Sequence, residues 1–457
     1  MTSETFIIPL PDARYLVYAP LRRTAFVANG SMVNSIAAIQ AGRFDGSGAN
    51  DRALVRLLEE LGLVGGQPDD CPGTVLTGPP RPVEVTLLLT TACNLRCAYC
   101  YAAAGDTPRQ RMPLEVALKG IAFVLANAID LGAPAITVNY HGGGEPTANW
   151  SVMTRSFAFA RDEASAAGID AIGAAATNGV LKDHQIDWII ANLDGGITVS
   201  FDGLPEVHDR YRVTARGGGS SGRVMRTIRR LDDAGYGYGI RLTVTRDHIA
   251  QLPASIAFIC AQFGPARIQV EPAYRLGRWS EAPSADTAEF LAAFREAQRV
   301  AGGYGRSIDY SAARSGLMTN HFCGVSLDNF CLSPAGNVTA CYEAFSEGGD
   351  LADVFFYGRA GPDSGYVFDE ATLEGLRHRA VQFLPWCQGC FAKWDCAGDC
   401  YYKALATDRT GEYRGSERCH LTRELTRDQI LGRILDSGGV LWHEPPVPLA
   451  RGNRNGG

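Results

Sequence analysis

The sequence predicts an α/β protein built on a partial (βα)6 barrel, preceded by a small N-terminal α/β module and followed by a Cys-rich C-terminal domain. Three observations predict it. Between about 82 and 300, six strand-like runs alternate with helix-like stretches. Cysteines crowd into a loop directly after the first run, and from about 320 to 420 the pattern turns short, irregular and rich in cysteine. Parallel neighbours need crossover helices and bury both faces of their sheet, so strand–helix units in a row argue for a parallel βα barrel or part of one.

The elements follow in order. Residues 1–80 open with the strand-like runs "RYLVYAP" and "TAFVAN", then a helical stretch in which Leu54, Leu57, Leu58 and Leu61 fall at i, i+3, i+4 and i+7. "GGQPDDCPGTVLTGPPRP" closes the module as a linker or extended arm. In residues 81–305 the strands are "VEVTLLLT", "AITVNYH", "AIGAAAT", "GITVSFD", "GIRLTVT" and "RIQVEPA". The first crossover places Leu114, Leu118, Ile121, Val124, Leu125, Ala128 and Ile129 on one helical face. Residues 306–430 form the Cys-rich domain, and 431–457, ending "EPPVPLARGNRNGG", are expected to be an unstructured tail. Functional groups of such a barrel belong at the C-terminal ends of its strands.

Composition narrows the function. The 457 residues are 46% hydrophobic, enough for two or three domains, and 43 basic against 49 acidic residues leave a net charge of -6 without a block of one sign. Nucleic acid is therefore not an expected partner. No apolar run approaches the roughly 20 residues a membrane span needs, and the first residues lack the basic start and apolar stretch of a signal peptide. The expected location is cytoplasmic. In that reducing compartment, thirteen clustered cysteines read as metal or Fe–S ligands rather than disulfides.

The loop "TTACNLRCAYCYAAAG" follows the first barrel strand and carries Cys93, Cys97 and Cys100. A closed zinc site takes four ligands, and after Cys100 no Cys or His arrives until His141. Soft thiolates also suit Fe–S cubanes, and three cysteines leave one iron open for a small molecule. With Tyr99 before its last cysteine, the loop resembles the cluster loop of the radical S-adenosylmethionine (SAM) enzymes, with zinc or another metal as the alternative. "HGGGEP", residues 141–146, follows the second strand and resembles that family's glycine-rich segment, which contacts the amino group of the cofactor's methionine moiety. The resemblance implies cofactor contacts at Gly143, Gly144 and Glu145. "TNG" ends the third strand, and "SFDGLPEVHDRYR" follows the fourth like the family stretch that reaches the cofactor's ribose and carboxylate, implicating Ser200, Asp202 and Arg212.

A second resemblance covers the C-terminal region. Cys323, Gly336 and Cys341 space as C-x12-G-x4-C, followed by Cys387, Cys390, Cys396 and Cys400 as C-x2-C-x5-C-x3-C, and then Cys419. This is similar to the SPASM domain of radical enzymes that mature peptides and proteins. It implies two auxiliary [4Fe-4S] clusters, one held by Cys387, Cys390, Cys396 and Cys419 and the other by Cys323, Cys341 and Cys400. Cys331 either completes the second set or packs as a buried apolar thiol. Cys71 and Cys260 lie outside both patterns.

The resemblances together imply a TIM-like radical SAM barrel with three [4Fe-4S] clusters, one SAM-binding and two auxiliary, supplied with electrons by a flavodoxin or ferredoxin. The expected activity is reductive cleavage of SAM and hydrogen abstraction from a ribosomally made precursor peptide, giving a thioether or carbon–carbon crosslink or an epimer. The N-terminal module is expected either to bind a leader peptide by strand addition or to cap the barrel. Sulfatase maturases of this kind place an Asp after the cysteine of the G-x4-C element, where this chain has Tyr342 and then Glu343. Glu343 is a displaced acid–base candidate, with a surface carboxylate as the alternative. Oxidation of a protein Ser or Cys, modification of a small molecule, and a non-catalytic Fe–S electron-transfer or scaffold protein are the competing readings.

Overall fold

The computed structural model describes residues 4–444 apart from 46–47, 66–68, 107, 282–285, 364, 408–410 and 413–414. Three strands begin the chain: β1 (Phe6–Pro9), β2 (Arg14–Ala19) and β3 (Thr24–Asn29), paired antiparallel in sequence order. Helices Gly30–Gln40 and Ala49–Glu60 follow. Leu54, Leu58 and Leu61 are buried against Val17 and Phe26, as their spacing predicts.

The barrel strands are β4 (Glu84–Leu87), β6 (Ala135–Tyr140), β7 (Asp170–Thr177), β8 (Ile197–Ser200), β10 (Tyr238–Val244) and β11 (Arg267–Pro272), all parallel in that spatial order. Between them, β5 (Leu95–Cys97) and β9 (Arg212–Thr214) form a small antiparallel pair outside the main sheet. Each crossover contains a helix. The first, Leu114–Leu131, starts after Pro113 and stops at Gly132, whose φ of 63° gives the left-handed turn a Cβ would resist. Its buried face runs through Ala117, Gly120, Ile121, Val124, Leu125 and Ala128. Ile129, expected on that face, is 54% exposed because it lies at the rim of the apolar stripe, in the helix's last turn.

The sheet continues past β4 into β12 (Cys331–Leu332), β13 (Val338–Thr339), β14 (Phe356–Ala360) and β15 (Tyr366–Phe368). The Cys-rich domain is thus welded edge-on to the barrel: β12 pairs parallel with β4, and the rest are antiparallel.

The expected tail from 431 is different in the structure. Helix Glu417–Asp436 runs through that boundary, and β16 (Leu441–His443) returns to pair antiparallel with β3, closing the N-terminal sheet as β1-β2-β3-β16. Trp442 is 2% exposed, packed with Leu16, Tyr18, Phe391, Ile430 and Ile434. The end of that stretch, 445–457, lies outside the described residues. The N-terminal module therefore shares a core with the C-terminal domain. The arm between module and barrel is strapped down as well, with the Thr74 carbonyl 2.9 Å from His321 Nε2 and the Gly78 carbonyl accepting from Arg377.

Candidate cluster sites

The Cys93–Cys100 loop leaves the C-terminal end of β4, where the barrel architecture puts chemistry. Its shape is set by backbone. Gly144 N donates to the Thr90 carbonyl (2.7 Å) and Glu145 N to the Ala92 carbonyl (2.9 Å). A Cβ on Gly144 would stand 2.1 Å from the Ala92 oxygen, and Gly142 and Gly143 have φ of 70° and 67°. The glycines thus serve first to let "HGGGEP" close on the cysteine loop. On the far side Gly277 packs against the Cys100 and Tyr101 carbonyls, and Arg278 N donates to the Cys100 carbonyl at 3.0 Å.

The acidic residues expected at the cofactor are hydrogen-bonded within the protein. Glu145 is 3% exposed, and its carboxylate accepts from Thr147 Oγ1 (2.8 Å), Thr177 Oγ1 (3.0 Å) and Asn178 N (2.8 Å). It ties the glycine segment to "TNG". Asp202 is fully buried, accepting from Arg212 Nε (3.0 Å), Thr243 N (3.1 Å) and Tyr99 Oη. Burial alone would push this carboxyl up, but Arg212, His208 and the Tyr99 hydrogen bond hold it below the usual carboxylate range. Arg212, 6% exposed, lies opposite Cys97 in the β5–β9 pair and stacks over the Tyr99 ring at 5.1 Å. Asp202 and Arg212 pair with each other and, through Tyr99 and Cys97, brace the loop. Ser200 ends β8 half-buried, alternating with the buried Ile197 and Val199 on the opposite face of the strand.

Reading from sequence missed Asn178 and Arg278. The Asn178 amide reaches Cys93 Sγ (3.5 Å) and Asn94 Oδ1 (2.7 Å). Arg278 bonds Asp106 (2.8 Å) and the Ala104 carbonyl (3.2 Å), lacing the loop's end to the segment after β11. Asn in "TNG" was a visible signal; nothing in "RLGRW" pointed to the loop.

In the C-terminal domain Cys387, Cys390 and Cys419 are electrostatic neighbours, and Cys396 feels Cys387 and Cys390. Cys341 feels Cys400 and Cys323. Both expected sets are brought together. Cys331 is different: it sits in β12 between Thr86 and Thr339, 0% exposed, with its sulfur accepting from Asn329 Nδ2 at 3.0 Å. The charges acting on it are Glu84 of β4 and, next, Cys323. Arg314 joins the two sets, donating to the Phe322 carbonyl beside Cys323 and to the Cys396 carbonyl.

The residues fit Fe–S clusters. Among the described residues no three His, Cys, Asp or Glu groups converge on a point suited to a single ion. Soft thiolates, three in the loop after β4 and two further sets in the Cys-rich domain, are the donor type that Fe–S clusters take. Cys323 is exposed, at a small depression also lined by Phe322, Val325, Asp399 and Tyr401. Burial pushes the Cys93 and Cys387 thiols up to about 12, a cost that a bound cation offsets by favouring the thiolate.

Comparison with known proteins agrees. Residues 87–251 match the Radical SAM superfamily, spanning the cysteine loop and the glycine segment. The chain carries a radical SAM domain. It is 27% identical over 339 residues to the mycofactocin maturase MftC of Mycobacterium tuberculosis, covering 70% of this chain and 78% of that protein. It is 26% identical over 167 residues to the Fe-coproporphyrin III synthase of Methanosarcina barkeri, covering 36% of this chain and 38% of that protein, so it spans well under half of that relative. Among solved structures, anSMEcpe with bound AdoMet and Cp18Cys peptide superposes with a TM-score of 0.60 at 17% identity, over 78% of this chain and 99% of that one, a likeness of fold. No helix among the described residues is long and apolar enough to cross a membrane.

Proposed function

We propose that this radical SAM protein is a peptide maturase of the SPASM type. It would hold three [4Fe-4S] clusters and abstract hydrogen from a ribosomally made peptide to form a thioether or carbon–carbon crosslink, or an epimer. The observation that carries the reading is the three-cysteine loop at the end of β4, closed upon by Gly142–Gly144 through the Thr90 and Ala92 carbonyls. Cys93, Cys97 and Cys100 would hold the SAM-binding cluster, with Cys387, Cys390, Cys396 and Cys419 holding one auxiliary cluster and Cys323, Cys341 and Cys400 the other. When bound, the first cluster supplies one electron that splits SAM into methionine and a 5′-deoxyadenosyl radical.

The chain's own residues position and shield. Tyr99, Asp202 and Arg212 brace the loop, Asn178 orients Cys93, and the backbone of Gly143 and Gly144 would meet the methionine amino group. Ser200 is the polar group at a strand end left free for the cofactor. The buried wall behind them excludes water and stray hydrogen donors.

MftC, a maturase matched over most of both chains, supports a peptide substrate. The match to the porphyrin-related enzyme reaches 36% of this chain, which favours small-molecule chemistry less. A sulfatase-type oxidation is disfavoured because the position after Cys341 holds Tyr342, whose ring packs 4.7 Å from His141, where that reaction wants an acid. The leader of the peptide would add to the N-terminal sheet, which ends in β1 on one side and the short β16 on the other. An anaerobic cytoplasmic setting and a flavodoxin or ferredoxin donor complete the proposal.

The test is reconstituted protein with dithionite, SAM and a short peptide encoded beside its gene. Formation of 5′-deoxyadenosine with a mass change in the peptide supports the reading. Iron–sulfur clusters without any SAM cleavage would instead support an electron-transfer or scaffold protein.

A further inference from the structure

The cysteine set of Cys323, Cys341 and Cys400 is one ligand short of a closed cubane. Cys331, the nearest extra thiol in sequence, is held in β12 with its sulfur hydrogen-bonded by Asn329. Another group stands by the trio. Glu343 lies two residues after Cys341, in a turn closed by Ala344 N on the Cys341 carbonyl at 3.2 Å. Tyr342 takes the barrel side of that turn, against His141.

Glu343 Oε1 lies 3.7 Å from Lys403 Nζ, and Lys403 is three residues beyond Cys400, in the first turn of helix Tyr401–Thr407. Lys403 is itself pinned over the Tyr274 ring at 4.4 Å. That ion pair ties the Glu343 carboxylate to the helix that directly follows Cys400. Its other oxygen, Oε2, is buried with no hydrogen-bond partner, and no other carboxylate oxygen among the described residues is in that state. A buried, unpartnered carboxylate oxygen is costly unless something fills its open side. Cys323, Cys341 and Cys400 all feel the Glu343 charge. The nearby Asp399 is already committed, to Cys400 N and to Arg418.

We propose that Glu343 Oε2 is the fourth protein ligand of the auxiliary cluster held by Cys323, Cys341 and Cys400. The proposal rests on the auxiliary-cluster reading above and deepens it. Glu343 then serves as an anionic oxygen ligand where a free acid–base group would otherwise be expected. A non-thiolate ligand at one iron changes a cluster's potential and leaves that iron more readily exchanged than an all-cysteine site.

The experiment uses the full chain with Cys93, Cys97 and Cys100 replaced by Ala, so that the remaining signals come from the auxiliary sites. Iron, sulfide, the EPR spectrum of the reduced protein and its reduction potential are measured with and without Glu343→Gln, and each protein is titrated with cyanide. Ligation predicts two cubanes' worth of iron in the parent. In Glu343→Gln it predicts altered g-values for one cluster, a raised potential and a cyanide-dependent spectrum that the parent lacks. Two cubanes with identical spectra, potential and cyanide response in both proteins would overturn ligation and leave the auxiliary-cluster reading standing. If the parent holds one cubane's worth, both fall. Should Glu343→Gln lose the cluster, Glu343→Cys decides: a thiolate at the fourth position restores the iron, and failure to restore it counts against ligation.

Discussion

The Cys93–Cys100 loop and the cysteines beyond residue 320 are held by different means. The first hangs from the end of a parallel sheet, where backbone hydrogen bonds from Gly144 and Glu145 and the close approach of Gly277 shape it. The second lies among short helices and two-residue strands, organised by buried charge: Arg314 on the carbonyls of both sets, and Arg418 between Asp399 and Glu271. A loop on a barrel inherits its geometry from a core that exists without metal. A Cys-rich domain with few apolar layers would depend on the clusters proposed for it, because metal binding free energy there is folding free energy.

That contrast can be broken in order of expected effect. Replacing Cys387, Cys390, Cys396 and Cys419 with Ala should loosen both ends of the chain at once. Phe391, Ala392, Ile430, Ile434 and Trp442 pack on Leu16 and Tyr18 of the N-terminal sheet, so that core loses its support. Limited proteolysis should cut within residues 4–64 and 380–444, while the barrel persists as a resistant fragment. Equal protease resistance would mean the domain folds without its clusters.

Gly144→Ala acts at the other site. Its Cβ would meet the Ala92 oxygen at 2.1 Å, backbone against backbone, so the loop must shift. A displacement near 1 Å at a reacting centre costs about 100-fold in rate. SAM cleavage should fall by at least about that factor, with auxiliary-cluster spectra unchanged.

Arg212→Gln leaves Asp202 buried without its cation, a loss of about 3–5 kcal/mol seen in chemical denaturation. It also changes the pH dependence. Asp202 is held below the usual carboxylate range in the folded protein, so the pair's stabilisation is full above the unfolded value of about 4 and fades as pH falls through the folded value. The parent should lose this contribution in acid. In Arg212→Gln burial raises the Asp202 value, and that loss should vanish or change sign.

The smallest effect is expected at Cys331. As a packed thiol in β12, Cys331→Ala should leave iron content and spectra unchanged and cost about 1–2 kcal/mol for the small cavity. A changed auxiliary spectrum would place it back among the ligands.

Much of this was legible in the sequence. The six barrel strands alternate with periodic helices, and the cysteine loop, the glycine segment and both C-terminal cysteine sets stand out by spacing alone, because each needs residues that little else requires in that pattern. What stayed hidden depends on long-range contact. β16 is three residues, "LWH", with no partner visible until β3 is in place. The partners of Glu145 and Asp202 are invisible in a line of letters, since only the fold brings Thr147, Thr177, Asn178, Arg212 and Tyr99 to them. Ile129 fits a helical stripe by count, but which part of the stripe meets the sheet is a tertiary matter.

The central claim is that the loop after β4 alone cleaves SAM, independently of the C-terminal cysteines. Its most direct test replaces Cys93, Cys97 and Cys100 together with Ala, then measures iron and 5′-deoxyadenosine in the reconstituted, reduced protein. The account predicts loss of one cubane's worth of iron and of all 5′-deoxyadenosine, with two cubanes retained. Continued 5′-deoxyadenosine formation by that variant would contradict it.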